Sequence, residues 1–163
     1  MKEAPTERIV VTVAGQKVDL NPANMRYNEN NLGEYMNEEY GWIDYLGKQL
    51  EHAQKEVMDA EIDADALYSK KFIECKDSGN SDNYAKAYAL ANDEVVAAKK
   101  KVVERKEVVG HIKAHLRAWD RNHDNSQNRG HTLRKELDKL NREIYPSTNE
   151  ENTCSFEQSL NKL

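Results

Sequence analysis

Cysteine is nearly absent: the chain has two in 163 residues, Cys75 and Cys154. They read as unpaired thiols of a reducing compartment, because a disulfide framework would use more of them. Long apolar runs are missing as well. None reaches the roughly 20 residues that a helix needs to span a bilayer. The first residues lack the charged-then-apolar layout of a signal peptide, so the expected location is the cytoplasm. Glycine forms no phosphate-binding loop. No Ser-His or Cys-His arrangement has an orienting acid, and no carboxylate pair reads as buried, so no enzyme is expected. His111 and His115 share a helical face at i, i+4 with Glu107 nearby, but a zinc site needs further ligands at suitable spacing. Asp120, Asn122, Asp124 and Ser126 imitate the start of a calcium loop. The glycine and acid required at its sixth and twelfth positions are Asn125 and His131 instead. No metal or cofactor is expected.

Charge is plentiful. Charged residues make up 33% of the chain and hydrophobic ones 38%, a mixture that suits elongated helices burying a narrow stripe. The net charge of −5 hides an asymmetry. Residues 1–98 carry 10 Lys/Arg against 19 Asp/Glu, whereas residues 99–142 carry 13 against 6. A polyanionic partner is excluded by the average but not by the second half.

Three segments follow from patterning. Residues 1–20 form an N-terminal arm in which the β-branched run Arg8–Val13, a turn at 14–17 and Val18–Leu20 predict a β-hairpin. Asn21-Pro22 predicts the cap and first residue of a short helix reaching about Asn30. Residues 21–145 are read as an all-α hairpin of two long helices. In the first, from about Gly33 to Lys76, Ile43, Leu50, Val57 and Ala64 form one heptad row and Leu46, Ala53, Ala60 and Leu67 the other. Residues 77–81 break the pattern, with Gly79 as C-cap and Ser81 as N-cap.

The second helix starts near Asp82. Its rows are Tyr88, Val95, Val102, Val109 and Leu116, and Ala91, Ala98, Ile112 and Trp119. The register resumes at Leu133, Leu137, Leu140 and Ile144 beyond a polar stretch at 121–130, which predicts a continuous but softened helix. Pro146 ends it. Residues 146–163 read as a flexible tail, in which Phe156, Leu160 and Leu163 would share one side of a short helix. Two such helices should fold back antiparallel as a coiled coil. Tyr35, Met36, Tyr40, Trp42, Tyr68, Phe72, Val96, Val103 and Val108 are left over, which predicts a homo-oligomer. Trp42, Leu116, Trp119, Leu133, Leu137, Leu140 and Ile144 are the expected contacts.

Lys99, Lys106 and Lys113 recur every seven residues along one flank of the second helix. Arg117 and Arg121 prolong the row, and Lys100, Lys101 and Arg105 broaden it. A linear row of cations suits a phosphate backbone. The acidic first helix offers another use, as the partner of those same cations. Both readings stand at this point.

The segment Asp19–Asn31 places an apolar residue and Asp before a short helix with Met25 and Tyr27, then Asn30-Asn31. Trp42 and Leu46 follow on a long helix, then the turn 79–81, Tyr84, Ala85 and Ala87, and Asp93 with Val95. Leu116 and Trp119 precede Arg129-Gly130 and a last basic helix. In order and spacing, over residues 18–143, this resembles the phage recombination mediator family of the UvsY type. The resemblance implies a non-catalytic accessory that binds single-stranded DNA as an oligomer and helps a recombinase displace the single-strand-binding protein, in the host cytoplasm. The family's basic element near the end of the first helix is here Asp63–Tyr68, with Lys70 and Lys71 just beyond. The DNA contacts should therefore shift to Lys70, Lys71 and the second helix, from Lys99 to Arg121, with Arg129 and Arg134. The alternative is a coiled-coil structural or chaperone-like phage assembly protein that binds no nucleic acid.

Overall fold

The β-branched strand β1 (Ile9–Val13) pairs antiparallel with β2 (Gln16–Leu20) in the register Ile9↔Leu20, Val11↔Val18 and Val13↔Gln16. The two-residue turn between them puts Ala14 at φ 48° and Gly15 at φ 76°. Both lie in the left-handed region, which matches the right-handed twist of a hairpin. Glycine takes that conformation freely, whereas alanine pays about 1 kcal/mol or more. The Glu56 carboxylate accepts the Ala14 N–H at 3.0 Å and anchors the turn.

The computed structural model describes residues 8–144, and the chain divides into units of residues 1–123 and 124–163. It is mostly helical, with α1 (Leu32–Asp77), α2 (Asp82–Ala91) and α3 (Asp93–Ile144) following the hairpin. The expected short helix shrinks to a 3-10 turn over Pro22–Met25, capped by the Asn21 side chain. Asn28 and Asn31 explain why. The Asn28 side chain accepts from the backbone of Asn30 and Asn31, and the Asn28 N–H donates to the Asn31 side chain at 2.7 Å. Such local bonds compete with helical ones.

The first unit is held by α1 and the start of α3, which run antiparallel: Tyr35 meets Asn122, Glu56 meets Arg105 and Lys71 meets Glu94. Leu46, Ala53, Ala60 and Ala64 are buried along α1, as the heptad rows predict, and Val95, Ile112 and Trp119 along α3. The hairpin's inner face, Val11, Val13, Val18 and Leu20, belongs to the same core. A two-stranded sheet is marginal alone, and here helices cover one face of it.

Three expectations need correction. The second helix is not continuous from Asp82: it breaks at Asn92, whose backbone is extended and whose side chain accepts from Glu94 N–H at 3.0 Å. The break resets the register, so Tyr88 and Ala91 are exposed while Ala85 and Ala89 face inward. Trp119, expected as an oligomer contact, is 1% exposed and lies between Tyr35 and Trp42, with ring centroids 6.1 and 6.0 Å away and planes within 13°. Tyr35, expected to be left over, is buried in that stack; Tyr40 and Val103 remain exposed.

In the second unit, residues 124–144 are helical throughout, so the polar stretch does not break α3. Leu133 is half-buried, and Leu137, Leu140 and Ile144 are exposed. Cys154, Pro146 and the expected tail lie outside the described residues. Replacing the central indole by Trp119→Ala should cost about 3–5 kcal/mol, read as a lower urea midpoint. An unchanged midpoint would contradict the stack's central role. Ala14→Asn, which tolerates the left-handed turn, should add up to about 1 kcal/mol.

Candidate nucleic-acid interface

In the first unit α3 presents its cations on a regular helix, because Asp93 and Glu94 favour its N-terminus and its apolar rows there bury against α1. Lys99, Lys106 and Lys113 are all exposed, as are Lys100, Lys101, Arg117 and Arg121. Their surroundings sort them into two groups. Lys106 pairs with Glu61 at 2.7 Å, and Arg105 pairs with Glu56 at 3.1 Å. Glu56 is the same carboxylate that anchors the hairpin turn, which makes Arg105 part of the fold. Lys71 is held by Glu94 at 3.1 Å and Glu74 at 3.6 Å, and those contacts push its ammonium above the ordinary lysine range. Carboxylates of the protomer thus answer three of the cations expected on DNA, Arg105 and Lys106 from α1 and Lys71 across the pair from α3.

The others are differently placed. Lys99 sits 5.7 Å over the Tyr68 ring, a cation–π contact that leaves the ammonium in solvent. Lys70, Lys100, Lys101, Lys113, Arg117 and Arg121 make no ion pair among the described residues, although Arg121 Nε donates to the Arg117 carbonyl at 3.2 Å. On α3 of the first unit, the free cations therefore run from Lys99 to Arg121, over about 33 Å at 1.5 Å per residue. In the second unit Arg129 is half-buried and Arg134 exposed. Of the expected oligomer contacts, Trp42 and Leu116 are half-buried in the first unit.

His111 Nε2 lies 3.6 Å from Glu107 on its own helix, and among the described residues no group of three or more His, Cys, Asp or Glu is gathered to hold a metal. Patterning missed a polar pair inside the core. Glu39 is fully buried, and its Oε2 lies 2.9 Å from His123 Nδ1. The signal was present: Glu39 falls in the row of Leu46 and Ala53, and His123 in the row of Leu116. Close by, burial, aided by Glu39, raises the Tyr35 phenol to about 12. Asn122 ties this end together by donating to the Met25 carbonyl at 2.7 Å and to the Tyr35 hydroxyl.

No family model, curated protein or solved structure matches this chain. No described helix is long and apolar enough to cross a membrane.

Burial depresses the His115 imidazole below its ordinary value, with Asp19 opposing weakly. The unfolded chain therefore takes up this proton first as pH falls through about 6.5. Stability from neutral His115 is complete above that pH and declines below it. Melting at about pH 5.5 should occur at a lower temperature than at about pH 7.5, and His115→Gln should shrink the difference. An equal drop in wild type and variant would refute the assignment.

Proposed function

We propose that this protein is a non-catalytic recombination mediator: as a homo-oligomer it binds single-stranded DNA and helps load a recombinase in place of the single-strand-binding protein. The observation that carries the reading is the line of free cations on α3. α1 neutralises Arg105 and Lys106, and Lys71 of α1 is paired with Glu94 of α3, yet Lys99, Lys100, Lys101, Lys113, Arg117 and Arg121 stay exposed. A stiff linear row of this kind fits a flexible strand's phosphates without reading its bases. The order of elements from Asp19 to Gly130 supports the mediator role, and the exposed apolar edge Leu137, Leu140 and Ile144 supports self-association.

The second reading is a coiled-coil structural or chaperone-like phage assembly protein without nucleic acid. The pairs Lys106–Glu61 and Arg105–Glu56 favour it, since they use the basic flank inside the protomer.

Salt dependence separates the two. Each phosphate neutralised on a single strand contributes about −0.7 to the slope of log affinity against log salt. Reversing Lys99, Lys113 and Arg117 to Glu should flatten that slope by about 2, with helicity by circular dichroism retained. Unchanged affinity at low salt in a folded variant would remove the DNA reading and leave the assembly protein. Leu137→Glu with Leu140→Glu should lower the mass found by light scattering; an unchanged mass would clear that edge of any role.

A further inference from the structure

The hairpin has an edge that the protomer leaves open, and its chemistry fits a second copy of itself. Because Val13 and Gln16 close the two-residue turn, the mutually hydrogen-bonded pairs are Val13–Gln16, Val11–Val18 and Ile9–Leu20. The N–H and C=O groups of the residues between them, Lys17 and Asp19, therefore point away from β1. No hydrogen bond among the described residues reaches those peptide groups. A row of open peptide groups on a strand edge is a template for another strand.

Beside β2 is a groove of about 530 Å³, lined by Lys17 and Asp19 and, from α1, by Gly41, Trp42 and Tyr45. Trp42 and Tyr45 meet edge to face at 6.1 Å. At Gly41 an added Cβ would meet nothing within 4 Å, so the groove is open above it. Glycine inside a helix is destabilising relative to alanine, and the protomer makes no use of the missing side chain.

We infer that a second copy docks here, β2 against β2 and antiparallel about Val18, so that the two hairpins form one four-stranded sheet. Charge selects the register. Centred on Lys17 or on Asp19, the pairing would set like charges opposite each other. Centred on Val18, it sets Lys17 opposite the partner's Asp19, and Asp19 opposite the partner's Lys17. Opposite charges directly across a strand pair stabilise it and like charges destabilise it. The same register brings together the open peptide groups of Lys17 and Asp19, two bonds for each pair. Asp19 also pairs with Arg8 at 2.8 Å on the exposed side, and a carboxylate can accept from both cations. The contact is isologous, as expected of a two-fold pair. It rests on the self-association in the proposed function and is independent of DNA binding.

The test is complementation between full-length charge variants. Lys17→Glu alone and Asp19→Lys alone each place like charges across the contact, so each should show a lower mass in light scattering than wild type. Mixed one to one, they restore both opposite-charge pairs, and the mixture should regain the wild-type mass. Gly41→Trp, which fills the groove on an exposed helix face, should lower the mass with helicity intact. In the wild type, the amide protons of Lys17 and Asp19 should exchange at least about tenfold more slowly in the assembled state than on dilution. A folded Lys17→Glu variant of unchanged mass, or a mixture no larger than its components, overturns the surface and leaves self-association standing. A wild-type monomer overturns both. Slow exchange that persists on dilution also overturns the surface, since something within the protomer would then cover the edge.

Discussion

The stack of Trp42, Trp119 and Tyr35 is the contact on which the first unit depends. It joins the early part of α1 to α3 at the end far from their connection, where an antiparallel pair of long helices would otherwise fray. Tyr27 meets Tyr35 at 4.9 Å and brings in the segment that follows the hairpin. The hairpin closes the core from one side with four inward aliphatic residues. Large rings stacked at about 6 Å contribute beyond the area they bury, and one indole here serves three segments distant in sequence. Towards the other end the core is lined by alanines. Ala53, Ala60 and Ala64 carry little apolar area, and they permit close approach more than they add stability.

Beyond the stack, charge takes over from packing. Glu56 accepts the turn's Ala14 N–H and pairs with Arg105, so one half-buried carboxylate links hairpin, α1 and α3. Removing either partner would leave the other polar group partly desolvated, which is why this contact outweighs its exposed neighbours. Lys106–Glu61, by contrast, is an exposed pair of the kind worth at most about 1 kcal/mol.

Heptad rows were legible because a period of seven sustained over many turns is a strong signal: Leu46, Ala53, Ala60, Ile112 and Val95 are buried where the rows put them. The break at Asn92 was not, although Asn followed by Asp93-Glu94 has the form of a capped helix start. The rows continued across it in register, and periodicity outweighed a three-residue cue. The row puts Trp119 on the apolar side of α3 and does not say what covers it. A row shows which side of a helix is apolar, and Trp119 is covered within the protomer by the rings of Tyr35 and Trp42. The sorting of the cations was equally invisible. Lys99, Lys106 and Lys113 are equivalent by spacing, and only the position of Glu61 on the opposite helix separates Lys106 from the others.

That separation bears on what a polyanion would meet. A phosphate approaching Lys106 competes with Glu61 for a solvent-exposed ammonium, and a contact worth about 1 kcal/mol or less is readily exchanged. Arg105 is different, because drawing it away would strip Glu56 of its counter-charge while that carboxylate still holds the turn. A bound strand would therefore recruit Lys106 without disturbing the fold and would leave Arg105 in place. On the proposed function, the acidic face of α1 would act as a resident competitor, lowering affinity for stray anions at the flank while Lys100, Lys113, Arg117 and Arg121 remain open. Such an arrangement would favour a long strand, which could engage many open cations at once, over short anions that must displace a carboxylate for each contact they gain.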